Sequence, residues 1–167
     1  MGVSEALLER ARVSCSRADW APVFLRLIVG YGFIAHGYAK IARGPEHFAE
    51  ILAALGVPAF HVMGSLTILI EILGGLAILL GAWVRLAAVP LAAVLVVAAL
   101  TVHLPNGFSS IKLLSVTSSG AHFGQPGYET DLLYLACLAA LALGGPGTLS
   151  VHSWLRLTRV RASAAAR

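Results

Sequence analysis

Four ionisable side chains inside otherwise apolar sequence set the chemistry open to this chain. Arg26, His36 and Lys40 lie along the run Leu25–Lys40. At about 100° per residue they fall within an arc of about 80° on one helix face. Glu71 stands in a second apolar run, from Ala59 to Gly81. A charge at mid-bilayer costs roughly 2.5–3.5 kcal/mol on insertion scales, so each of these groups needs a partner. Counting about 1.5 Å per residue puts Arg26 about 7 Å deep and Glu71 about 15 Å deep, a gap that two long side chains can close. The expectation is an Arg26–Glu71 ion pair. It either locks two helices in register or handles a proton at a redox site, and the residues leave both readings open.

Three histidines form a second constellation. His36, His61 and His103 share the outer third of their segments. Imidazoles at one depth can relay protons, bind metal or haem, contact a quinone head group, or hydrogen-bond at the membrane interface. No carboxylate or cysteine is expected in that layer, which leaves metal and haem poorly supported. Lys40, His36 and His103 are the candidate contacts for a quinone, with Glu71 and Arg26 as the candidate catalytic pair. There is no nucleophile elbow or triad spacing and no glycine-rich phosphate loop after a strand. No flavin, haem-attachment or iron–sulfur motif is present, so electrons would have to come from a partner. Cys15 and Cys137 have neither metal nor redox spacing.

These side chains need membrane helices to hold them. The chain of 167 residues is 58% hydrophobic and 12% charged, with a mean hydropathy of +0.83, against about 25% charged residues in a soluble domain. The reading is an all-α, integral membrane four-helix bundle with spans at about 21–41, 59–81, 85–104 and 129–149. A polar tail (1–19) precedes it and a basic tail (154–167) follows. Phe48, Ile51, Leu52 and Leu55 recur at helical spacing between spans one and two, which predicts a short helix on the membrane face. Pro90 is expected to bend span three. Residues 105–128 read as a long apolar loop, either a lid over the bundle or packed on the membrane surface.

Eight basic residues fall on one side of this topology (Arg10, Arg12, Arg17, Arg85, Arg156, Arg159, Arg161, Arg167), and Lys40, Arg43 and Lys112 fall on the other. The positive-inside rule then places both termini in the cytoplasm of a multi-pass plasma-membrane protein, with Trp20, Trp83 and Trp154 at the cytoplasmic interface. The net charge of +4 arises mainly from these tails and does not read as nucleic-acid binding.

The ordered motifs resemble the DoxX family of small four-span membrane proteins. They are Arg26, His36-Gly37-Tyr38-Ala39-Lys40, Gly56-Val57-Pro58, Glu71-Ile72-Leu73-Gly74-Gly75, Val102-His103-Leu104-Pro105-Asn106-Gly107-Phe108, Gly127-Tyr128-Glu129 and Gly145-Pro146-Gly147-Thr148-Leu149-Ser150. The resemblance covers residues 22–153 and departs at Val151-His152, where relatives often carry an Asp. It implies kinship with a subunit associated with thiosulfate:quinone oxidoreductase and with membrane redox complexes that handle thiols. It also implies Arg26, His36, Lys40, Glu71 and His103 as functional positions. Two functions compete: a quinone-interacting redox subunit that takes electrons from a protein partner, and a non-enzymatic scaffold or assembly partner, including self-association. A small transporter is a third reading, with little support because the chain lacks internal repeats.

Overall fold

The computed structural model describes residues 17–155 and Thr158; most of the two expected tails, with Cys15, lies outside the described residues. After a 3-10 turn (Arg17–Trp20), α1 runs Ala21–Ala42, α2 Pro45–Ala54, α3 Phe60–Leu80 and α4 Val84–Ala98. Past α4 the helical path widens into a π turn (Ala99–His103) and tightens into a 3-10 turn (Leu104–Asn106). A hairpin, β1 (Leu113–Thr117) and β2 (Gly120–Phe123), precedes α5 (Glu129–Gly144).

Local chemistry explains the boundaries. Pro22 and Pro45 start α1 and α2 in first-turn positions where a missing N–H costs nothing. Gly81 ends α3 in the left-handed region (φ 67°), and the Ala82 amide donates back to Ala77 O at 2.9 Å, which satisfies an end carbonyl. A side chain at Gly81 would also collide with Ser150 and with the Arg26 guanidinium, so the position is constrained twice. The last helix stops at Gly144, earlier than the expected 149, because Gly145 (φ 85°) and Pro146 cannot continue it.

The four long helices form a closed ring in which α1 touches α3 and α5, and α4 touches the same two. Two of them, Phe60–Leu80 and Val84–Asn106, are long and apolar enough to cross a membrane by length and composition. Of the others, α1 carries Arg26, His36 and Lys40, and α5 has 16 residues. All four turn large apolar side chains outward, among them Phe24, Leu69, Leu86 and Leu133.

The expected short helix forms as α2 and packs across α3, with Ala49 against Gly64. Residues 113–123 are a correction, since they make a hairpin with both faces exposed rather than a lid. The reason is local: the β-branched run Val116-Thr117 leads into a turn at Gly120 (φ 122°), and both strands stay clear of the buried core.

Burial follows a heptad stripe on each of α1 and α3: Arg26, Gly30, Phe33 and Gly37 face Gly64, Ile68, Glu71, Gly75 and Ile78. Gly30 and Gly75 let the two backbones meet. A Cβ on Gly30 would lie 2.8 Å from Gly75 O and from Leu79 N, both backbone atoms that cannot swing away. The apolar core (Val29, Phe33, Ile78, Val84, Ala88, Leu91, Leu138, Leu141) fills the half of the ring nearer Arg26. The other half is looser, and it holds the site described below.

Replacing Gly30 with Ala should therefore cost about 1–3 kcal/mol, since overpacking forces helix displacement. Gly64→Ala, where the nearest atoms lie 3.6 Å away or more, should be tolerated. Reversible unfolding in mixed detergent micelles measures both, and equal stability of Gly30→Ala and the parent chain would refute the close contact.

Candidate functional site

Arg26 is buried, and its guanidinium donates all five of its N–H bonds to backbone carbonyls. Nε reaches Ile78 O (3.2 Å), Nη1 reaches Pro146 O (2.9 Å) and Thr148 O (3.0 Å), and Nη2 reaches Leu79 O (2.9 Å) and Leu149 O (3.0 Å). Ile78 and Leu79 lie in the last turn of α3, where carbonyls have acceptor capacity to spare and a cation is favoured. The expected Arg26–Glu71 pair does not form.

Glu71 instead binds Lys40, whose Nζ lies 2.5 Å from Oε2 and 2.7 Å from Oε1. Side-chain direction decides between the two partners. Helical side chains lean toward the N-terminus of their own helix. In antiparallel α1 and α3 this tilts Lys40 inward and Glu71 outward, toward each other, while Arg26 leans away to the opposite end. Gly37 seats α1 directly on Glu71 and Ile72, which brings Lys40 within reach. The Glu71 side chain is 6% exposed and that of Lys40 is 20% exposed. Lys40 Nζ also sits 5.0 Å from the centre of the Phe48 ring, a cation–π contact that ties α2 to the pair.

The pair forms one wall of a cavity of about 390 Å³ between α2, α3 and α4. Phe48, Ile51 and Leu52 roof it, Met63, Leu66 and Ile70 line one side, and Pro90, Val94 and Val97 line the other. Besides Lys40 and Glu71, the only polar side chains lining it among the described residues are the hydroxyls of Thr67 and Thr101. Thr101 belongs to the π turn, a distortion frequently found at functional sites.

The three histidines do not converge. His61 faces Glu46 at 3.0 Å on the surface, and His36 is exposed and does not line the cavity. His103 Nδ1 meets Asp131 Oδ2 at 2.6 Å, so a carboxylate does share that layer, contrary to the sequence expectation. Asp131 is 7% exposed in its side chain and His103 is 28% exposed. The signal for Asp131 was present: an acid just inside an apolar run carries the same cost that marked Glu71.

A family model for DoxX matches residues 21–104, half of the chain. The uncharacterized membrane protein Rv3486 of Mycobacterium tuberculosis is 32% identical over 137 residues, covering 77% of this chain and 77% of that protein. The chain belongs to the DoxX family. It is a membrane protein. No solved structure matches it.

In this DoxX protein the matched half holds Arg26, Lys40, Glu71 and His103, whereas Asp131 and three of the carbonyls that hold Arg26 come from the remainder. The two cations thus do different work. Arg26 is saturated by the backbone, while Lys40 and Glu71 face an apolar space into which a ligand oxygen can be received.

Breaking a buried ion pair from one side strands the other charge and costs about 3–5 kcal/mol. Lys40→Met and Glu71→Leu should each destabilise on that scale, with the double variant Lys40→Met/Glu71→Leu recovering most of the loss. Unfolding of the four species as a double-mutant cycle checks this, and additive losses would mean the groups are uncoupled. Arg26→Lys, with three donors for five carbonyls, should cost about 3 kcal/mol in the same assay.

Proposed function

We propose that this DoxX protein crosses the bilayer four times with both termini in the cytoplasm. We further propose that it is a quinone-interacting subunit of a plasma-membrane redox complex. Outward apolar side chains on all four long helices support the four spans. The three tryptophans stand at the Arg26 end, which supports a membrane interface there, and the excess of arginine in the sequence on that side supports its being the cytoplasmic one.

The observation that carries the quinone reading is an apolar cavity closed on one side by an ion pair. Its volume lies within the roughly 300–1,000 Å³ of ordinary ligand sites, and its few polar groups converge on one wall. A quinone head group fits that donor set. The Lys40 ammonium donates to a ring oxygen, Glu71 holds or accepts a proton at its carboxyl oxygens, and the apolar walls exclude water. A bound quinone would supply two-electron, two-proton carrier chemistry. Electrons would enter from a partner protein. Arg26 takes no part in the ligand contacts in this reading, and neither does His36. His103, held by Asp131 beside the π turn that contributes Thr101, is the candidate for passing a proton from the outer surface toward the cavity.

A scaffold is the second reading, and the exposed hairpin favours it. Leu114 (70% exposed) and Val116 (72% exposed) are apolar surface of the kind that docks another protein.

Lipid-quinone extracted from protein purified in mild detergent, quantified by mass spectrometry, separates the two readings. The expected result is near-stoichiometric quinone in the parent chain and His36→Ala. Lys40→Met should lose about tenfold or more, the scale of one charge-assisted hydrogen bond. Quinone no higher than in the detergent alone would leave the scaffold reading.

A further inference from the structure

The opposite end of the ring carries a second cavity, of about 550 Å³, between the α3–α4 turn, the first turn of α4 and the chain following α5. Trp83, Arg85, Ser150, His152 and Ser153 supply its larger and polar side chains, and no acidic side chain lines it among the described residues. Arg85 Nε is anchored on Ala142 O at 3.0 Å, which fixes the guanidinium at the rim with its two Nη groups unbonded among the described residues. Directly behind the wall lies Arg26, which contacts Gly81 and donates to Pro146 O, the carbonyl of another wall residue. Carbonyl dipoles satisfy its hydrogen bonds but do not cancel its charge. No carboxylate lies among the hydrogen-bonding or ion-pair partners of either arginine among the described residues. The cavity therefore has a positive floor and a positive rim.

The outer surface beside it is apolar. Leu86 is 74% exposed and Val89 is 70% exposed, one turn apart along α4 from the rim, and Trp83 is 74% exposed. An anionic head with hydrocarbon attached meets both surfaces at once, whereas a free anion meets only one.

We propose that this cavity binds the phosphate of an acidic phospholipid. Arg85 is the recognition group, Trp83 marks the headgroup level, and the acyl chains lie along Leu86 and Val89. The site rests on the helix ends lying at the bilayer surface and is independent of the quinone reading, whose cavity is at the other end.

Delipidated protein in mild detergent, titrated with equimolar dioleoyl phosphatidylglycerol and dioleoyl phosphatidylcholine, is read by native mass spectrometry. One phosphatidylglycerol should bind with about fivefold preference, the worth of one cation near a lipid surface. Arg85→Gln should abolish the preference and Arg85→Lys should keep most of it. Both substitutions sit at an exposed position, and a melting curve for each verifies the fold. Equal binding of the two lipids would overturn the proposal, as would a preference that survives Arg85→Gln. Glycerol phosphate binding as tightly as the lipid at the same concentration would overturn the lipid as the source of the phosphate.

Discussion

The rest of the structure depends on the saturation of one guanidinium by five carbonyls. A planar fork of five donors can join three separate pieces of backbone, and Arg26 does so for α1, the last turn of α3 and the segment after α5. Leu149 is held at φ 52°, in the left-handed region that side chains avoid, and its carbonyl is one of the five. The hydrogen bonds that aim this carbonyl inward offset the local strain. Thr148 adds a second tie, with its amide and hydroxyl both donating to Asp19 O. One end of the helix ring is thereby closed by polar contacts and packed by the apolar core next to them.

That closure leaves the other end free to be loosely filled. Close glycine contacts hold α1 and α3 together along their length, so the gap opens on the far side of α3, where α2 and α4 diverge enough to leave a cavity. Lys40 and Glu71 sit at the boundary between the packed half and the open half. Their position is intelligible as a compromise: buried enough for the pair to be strong, yet open enough to face a visitor.

Much of this was legible in the sequence, and the rest failed for identifiable reasons. Three of the four long helices could be bounded to within a few residues, because Pro, Gly and the length of the apolar runs mark their ends. The cost of burying charge marked Arg26, Lys40 and Glu71 as positions that must be paired. The pairing itself was misread, because depth was counted along backbones while the side chains lean by most of a helical turn. Asp131 does not stand out because it lies in the first turn of its helix, where an acid looks ordinary. The hairpin was hidden by the apolarity of Leu113, Leu114 and Val116, which suggested packing, when pairing across the turn at Gly120 satisfies the backbone without it.

The Arg26 cluster also imposes an order of events on biosynthesis. Its side chain is made with the first helix, yet Pro146, Thr148 and Leu149 lie more than a hundred residues downstream. Until the segment after α5 is translated and packed against the first helix, three of the five acceptors for this buried cation do not exist. The first helix must therefore wait, with its guanidinium hydrated or bonded elsewhere. The Arg26 end of the ring closes only when the segment after α5 arrives. A chain that stops before Pro146 keeps its first helix but lacks three of the five contacts that seal it.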